Sequence, residues 1–181
     1  AIQQIIIEKH LNTVIAGSGC YLPPRVVKND HFLSTEFYDT DGKRIERTNE
    51  DIVEKFRELV GITERRYVED GVNNSDMAAE AARRAIEAWG GDPETLDYVI
   101  VAHNYADIPE TTYCSEMVPS VSARVKHKLG IKNRHCIPYD MIFGCPGWVQ
   151  GVILAHHLIQ ARLAHNVLVV GSDTLSRICD P

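Results

Sequence analysis

The stretch Asp140-Met-Ile-Phe-Gly-Cys-Pro-Gly-Trp-Val-Gln-Gly151, with the apolar run that follows it to Ala164, constrains this chain more than any other. It predicts an extended segment, a tight turn at Gly144 and then a helix that begins at a cysteine. Pro146 suits the first helical position, where its missing N–H costs nothing and its φ is already set. Cys145 then stands at the N-cap, in the positive end of the helix dipole, a setting that activates a thiol. The following residues, Trp148-Val-Gln-Gly-Val-Ile-Leu-Ala-His-His-Leu-Ile159, are apolar almost all the way round. Such a helix is expected to be buried rather than amphipathic. From spacing alone two readings of Cys145 stand side by side: a nucleophile at the mouth of a buried helix, or a structural thiol, since free cysteine is among the most buried residue types.

The chain alternates strand and helix around this elbow. Thr13-Val-Ile-Ala-Gly-Ser-Gly19 reads as a short buried strand that Tyr21-Leu-Pro-Pro24 ends, because proline cannot continue a ladder. Ile5-Ile-Ile7 is either an extra strand or too short to be one. Residues 28–49 are polar and irregular. Thr48 then opens a helix carrying Ile52, Val53, Phe56, Leu59 and Val60, and Gly61 closes it. Residues 62–68 form a possible strand rich in charge. Ser75 and Asp76 are candidate caps of a clearer helix, with Ala78, Ala81, Ala82, Ala85 and Trp89 on one face. Leu96-Asp-Tyr-Val-Ile-Val-Ala102 is a continuous apolar strand of the kind covered on both faces in a parallel sheet. A polar loop over 104–114 follows, then a helix from Pro119 to Gly130 and a last strand at Asn166-Val-Leu-Val-Val-Gly171. Strands alternating with helices imply right-handed crossovers and a mostly parallel sheet.

Composition removes several function classes. The chain has 181 residues, 44% of them hydrophobic and 24% charged, enough apolar material for one sizeable core. Its longest apolar run, 149–159, is broken by His156 and His157 and is too short for a membrane span. The N-terminus has no basic region ahead of an apolar one, which argues against a signal peptide, and the missing initiator methionine suggests a trimmed start. Cys20, Cys114, Cys136, Cys145 and Cys179 include no C-x-x-C pair, which speaks against a disulfide framework or zinc site and for a reducing cytoplasm. A net charge of −6 disfavours nucleic acid. The chain stops at Cys179-Asp-Pro181, just after a core strand, so a continuation is expected.

Several motifs together resemble the N-terminal half of a β-ketoacyl-acyl-carrier-protein synthase III, a condensing enzyme of the thiolase superfamily. They are Tyr21-Leu-Pro, Gly61-Ile-Thr-Glu-Arg-Arg-Tyr67, Leu129-Gly-Ile131, the Cys145 elbow and Val169-Val-Gly-Ser-Asp-Thr-Leu-Ser-Arg-Ile-Cys-Asp-Pro181. The resemblance implies an α/β thiolase-like fold: over 1–181, an N-terminal βαβαβ half with a mixed, mostly parallel sheet and a buried nucleophile helix, its C-terminal half absent from the chain. It favours Cys145 as the nucleophile that takes an acyl group from a thioester, with its own amide N–H donating to the oxyanion. It also implies decarboxylative condensation with a malonyl carrier, assisted by a histidine and an asparagine of the C-terminal half. No cofactor is implied beyond the CoA or phosphopantetheine thioester, which is substrate. The implied partners are acyl carrier protein or acyl-CoA, the C-terminal half and a second copy in a homodimer, with neither nucleic acid nor membrane.

Departures from the family pattern bear on substrate. The helix start at Thr48 matches a substrate-binding region, but Ile52 stands where a tryptophan usually stacks on the CoA adenine, and Leu59 replaces an arginine. Arg177, the stacking partner from the other side, is kept. Half of this clamp is gone, which makes a carrier-protein donor a reasonable alternative. Val118, ahead of Pro119-Ser120, replaces a bulky residue that limits acyl length; it either leaves room for a longer or branched primer or is a core residue. Trp148 either narrows the pocket or packs the helix. The basic run Arg124, Lys126, His127, Lys128, Lys132 and Arg134 either docks an acidic carrier protein or is a solvated face. Two rival functions share the scaffold: acyl transfer to oxygen or nitrogen, and a non-catalytic subunit of a heterodimer.

Overall fold

Three parallel strands organise the molecule, a computed structural model that describes residues 12–112 and 114–178. The possible strand at Ile5–Ile7 and the thiol of Cys179 lie outside the described residues. The expected apolar run forms the central strand β3 (Tyr98–His103); earlier in the chain β1 (Arg25–Lys28) and β2 (Glu64–Tyr67) form a two-stranded ribbon. On either side of β3 lie β4 (Ile137–Ile142) and β5 (Val167–Gly171), both parallel to it. Ile100 is in register with Tyr139 on one flank and Val169 on the other. Successive side chains point to opposite faces, and both faces are covered, which is why Val99, Ile100 and Val101 are fully buried.

One face of the sheet carries α2 (Asn74–Trp89) and α3 (Val121–Lys128). Val99, Val101, Leu168 and Val170 meet Ala78, Ala82, Val121 and Val125 in one apolar cluster. Asp76 caps α2 by accepting the Asn73 N–H at 2.8 Å, while Ser75, the other expected cap, bonds Asp107 instead. Gly90, at φ +70°, ends the helix in the left-handed conformation that lacks a steric penalty only for glycine.

The other face carries α4 (Gly147–Gln160), and here the sequence expectation needs correction. The helix buries only Gly147, Gly151 and Ala155, a stripe repeating every four residues. A Cβ on Gly151 would lie 2.8 Å from Val169 Cγ1, so this stripe sets how closely helix and sheet approach. Trp148, Val149 and Ile153 keep 41–51% of their surface. An all-apolar helix reveals that every face wants cover; it does not reveal which face this chain covers.

The first third of the chain departs from its reading too. Residues 13–19 join no ladder. They run against α2 so tightly that a Cβ on Gly17 would lie 2.5 Å from Ala85 O and one on Gly19 2.4 Å from Ala85 N. Among the described residues no strand pairs with the outer edge of β5, and a cleft of about 850 Å³ separates that edge from this segment. β1, inside a region that patterning leaves unmarked, pairs antiparallel with β2. The antiparallel pairing of strands described is in this separate ribbon, and among the described residues the core sheet is wholly parallel. Next to the ribbon, α1 (Asn49–Val60) starts at Thr48, whose hydroxyl accepts the Asp51 N–H, and stops at Gly61.

Candidate functional site

The C-terminal ends of β3, β4 and β5 converge on the start of α4, the place where open parallel sheets put their ligands. Gly144, at φ +71°, turns the chain out of β4, and the Gly147 N–H closes the turn on Gly144 O at 3.0 Å. Pro146 is the N-cap, so the helix begins one residue later than expected and Cys145 directly precedes the cap. The Cys145 side chain is exposed at the rim. Its amide N–H makes no hydrogen bond with the described residues. Cys136 is the contrasting case: it is buried, and burial pushes its thiol pKa up. The thiol poised at the strand ends is Cys145.

Two polar pairs brace the neighbouring strand ends, and the sequence reading singled out neither. Asn104, just past β3, donates its backbone N–H to Asp173 Oδ2 at 2.9 Å and its side-chain amide to the same oxygen. Its Oδ1 lies 3.5 Å from where a Gly144 Cβ would stand, so the pair sits against the cysteine turn. The second pair is His103 Nε2 with Asp140 Oδ2 at 3.0 Å. Asp140 also accepts the Val121 and Ser122 N–H groups at 2.8 and 2.7 Å, anchoring the start of α3. Burial alone would raise the Asp140 pKa, but the bonds from His103, Ser122 and Val121 outweigh it and hold the carboxyl below its ordinary value. The one available signal was position, and only for three of the four: His103 ends β3, and Asn104 and Asp173 follow the ends of β3 and β5, whereas Asp140 lies inside β4.

The remaining expected site residues are dispersed. Trp148 lines the cleft beside β5, half exposed, with its Cβ close against Gly171. Val118 is 87% exposed, which removes its reading as a core residue. Thr48 acts as the α1 cap described above, and Ile52 is buried. Arg177, an expected substrate-binding residue, is largely engaged by the fold itself. Its guanidinium donates to Asn73 Oδ1, Ile108 O, Glu69 O and Glu110 Oε1, and only 7% of the side chain is exposed. It ties two loops together and leaves little surface for an adenine to stack on.

The basic run is likewise partly absorbed by the fold. Arg124 pairs with Asp107 and Glu116, Lys126 donates to the carbonyls of Asn133 and Cys136, and Lys128 pairs with Asp76. Only His127, Lys132 and Arg134 of that run keep exposed side chains without such a partner among the described residues. On α4, His156 accepts or donates a bond with the Thr13 hydroxyl at 3.0 Å, away from the elbow.

Comparison with known proteins gives this geometry a context. A family model described as 3-oxoacyl-[acyl-carrier-protein (ACP)] synthase III matches residues 139–181, the stretch that holds most of β4, the elbow, α4 and β5. The chain is 36% identical over 167 residues to β-ketoacyl-[acyl-carrier-protein] synthase III 1 of Vibrio vulnificus (strain YJ016), covering 92% of this chain and 46% of that protein. Among solved structures, the β-ketoacyl-[acyl carrier protein] synthase III of Thermus thermophilus superposes with a TM-score of 0.72 at 30% identity, covering 93% of this chain and 45% of that one. The priming β-ketosynthase of the R1128 polyketide pathway superposes with a TM-score of 0.70 at 25% identity, covering 90% and 42%. The chain spans about half the length of the curated relatives it matches.

Proposed function

We propose that this chain, which resembles one half of the β-ketoacyl-acyl-carrier-protein synthase III proteins and has their thiolase-like fold, is the N-terminal half of such a condensing enzyme. The observation that carries the reading is the exposed Cys145 thiol at the β4–α4 turn, where the ends of three parallel strands meet a helix start. In the first step the thiolate of Cys145 attacks the carbonyl carbon of an acyl thioester. The new S–C bond forms, the amide N–H of Cys145 faces the oxyanion, and the carrier thiolate leaves and takes up a proton. In the second step a malonyl carrier loses CO₂, and the electron pair of the broken C–C bond attacks the acyl carbonyl. Cys145 then leaves as thiolate and a 3-oxoacyl thioester results.

A C-terminal half supplies the histidine and asparagine for decarboxylation and covers the open apolar face of α4. A second copy completes a homodimer. The acyl donor is acyl carrier protein in preference to acyl-CoA, because Ile52 is buried where an adenine stack is expected and Arg177 is enclosed by its own partners. Trp148, at the cleft beside β5, is the substrate contact this chain offers; Val118 and Thr48, which do not line that cleft, meet substrate only in the complete enzyme. The setting is cytoplasmic fatty acid or polyketide-type synthesis; no helix among the described residues is long and apolar enough to cross a membrane.

Intact-mass spectrometry before and after incubation with acyl-CoA and acyl-carrier-protein donors tests the reading. One acyl adduct per chain, mapped to Cys145 and absent from Cys145→Ala, is the expected result. No adduct from any donor, with the C-terminal half supplied, rejects it.

A further inference from the structure

Asn104 follows the end of the central strand β3, and Asp173 follows the end of β5. A carboxylate only accepts hydrogen bonds, so the Asn104 amide must turn its nitrogen to Asp173 and its oxygen away. The backbone N–H of Asn104, at 2.9 Å, and its side-chain amide both donate to Asp173 Oδ2, while Asp173 Oδ1 accepts the Thr174 N–H at 3.2 Å. The remaining oxygen, Asn104 Oδ1, stands 3.5 Å from where a Gly144 Cβ would be. Apart from the chain neighbours of Gly144, no other heavy atom of the described residues comes within 4 Å of that point. The base under Asp173 is fixed as well: Ser172 donates its N–H to Ala102 O at 3.0 Å and its hydroxyl to Asn74 Oδ1, and Asn74 is fully buried. The elbow has less of its own to hold it. The Gly147 N–H closes the turn on Gly144 O at 3.0 Å, and Pro146 caps the helix without a side-chain bond.

We infer that Asn104, held by Asp173, is a positioning residue of the Cys145 elbow: its amide oxygen backs the left-handed Gly144 and so fixes where the next residue presents its thiol and its amide N–H. This rests on the condensing-enzyme reading and adds to it a pair that lies outside the turn. Acyl transfer needs both groups of Cys145 at once, the thiolate on the carbonyl carbon and the N–H towards the developing oxyanion. Alkylation by iodoacetamide needs only the thiolate, which displaces iodide as the new S–C bond forms. A displaced turn therefore slows the first reaction and spares the second.

The test uses the complete enzyme, this chain with its C-terminal half, and measures acylation of Cys145 by an acyl-carrier-protein donor beside its alkylation by iodoacetamide. Peptide mapping of the same samples reports Cys136, whose burial protects it only while the core stays packed. In Asn104→Ala and in Asp173→Ala the ratio of acylation to alkylation at Cys145 should fall about tenfold, with KM unchanged and Cys136 still protected. That is less than the roughly hundredfold a displacement of about 1 Å costs, because the turn keeps its own closing bond. Asp173→Asn should recover most of the loss, since its side-chain oxygen accepts the same N–H groups at about half the strength. If one alanine variant loses the protection of Cys136, the other decides; loss in both marks a merely structural role and overturns the inference. An unchanged ratio overturns it too, as does an Asp173→Asn no better than Asp173→Ala. Each of these results leaves the enzyme reading standing. Failure of the unsubstituted protein to take any acyl group removes both.

Discussion

His103 Nε2 lies 3.0 Å from Asp140 Oδ2, and this pair joins the end of β3 to the start of α3 through β4. The histidine side chain has no exposed surface and its Nδ1 has no partner, so Asp140 is its sole anchor among the described residues. The carboxyl is held below its ordinary pKa, so it binds its proton more weakly folded than unfolded. Its contribution is complete above the unfolded carboxylate value and is lost as pH falls through the lower, folded one. Asp140→Asn removes charged acceptance for three donors and is expected to cost about 2 kcal/mol at neutral pH. Urea unfolding midpoints of the two proteins should differ most at neutral pH and converge in acid. A gap that stays constant down to the lowest pH at which both fold would contradict the pairing.

The closeness of α4 to the sheet gives a second expectation. A methyl group on Gly151 lands 2.8 Å from Val169 Cγ1, in a stripe with no slack. Gly151→Ala should therefore lower stability by about 1–3 kcal/mol, the range for overpacking, although alanine is the better helix former. Thermal melting decides it, since propensity and packing predict opposite signs.

The cysteines should separate by chemistry. Cys145 is exposed and Cys136 is buried with a raised thiol pKa, so iodoacetamide should modify the first at least about tenfold faster at neutral pH. Peptide mapping distinguishes these from Cys20 and Cys114, which are also exposed. Comparable rates at Cys136 would show that the core around β4 opens readily.

The outer face of α4 separates stability from assembly. Ile153 is 41% exposed and points away from the glycine stripe. Ile153→Lys should leave the melting temperature of this chain nearly unchanged and prevent association with a C-terminal half, measured by co-purification of the two halves. A large drop in melting temperature would mean that this face is already covered.

The sequence by itself determined the elements whose cause is local. A continuous run of β-branched and apolar residues made β3; glycines at φ near +70° stopped α1 and α2; Gly144 and Pro146 fixed the turn that exposes Cys145. Each of these follows from the backbone freedom or side-chain bulk of neighbours along the chain, so it was legible before any fold was known. Tertiary structure decided the rest, because it depends on which distant groups meet. Nothing in the basic run distinguishes Arg124, pinned by Asp107, from Arg134, left in solvent. Nothing local says that Thr13–Gly19 lies against α2 without joining a ladder, or that Arg177 is enclosed by two loops instead of facing a ligand. Hydrogen-bonding side chains take whatever partners the packing of β3, α2 and α3 brings within reach, and those partners lie 17 to 69 residues away in sequence.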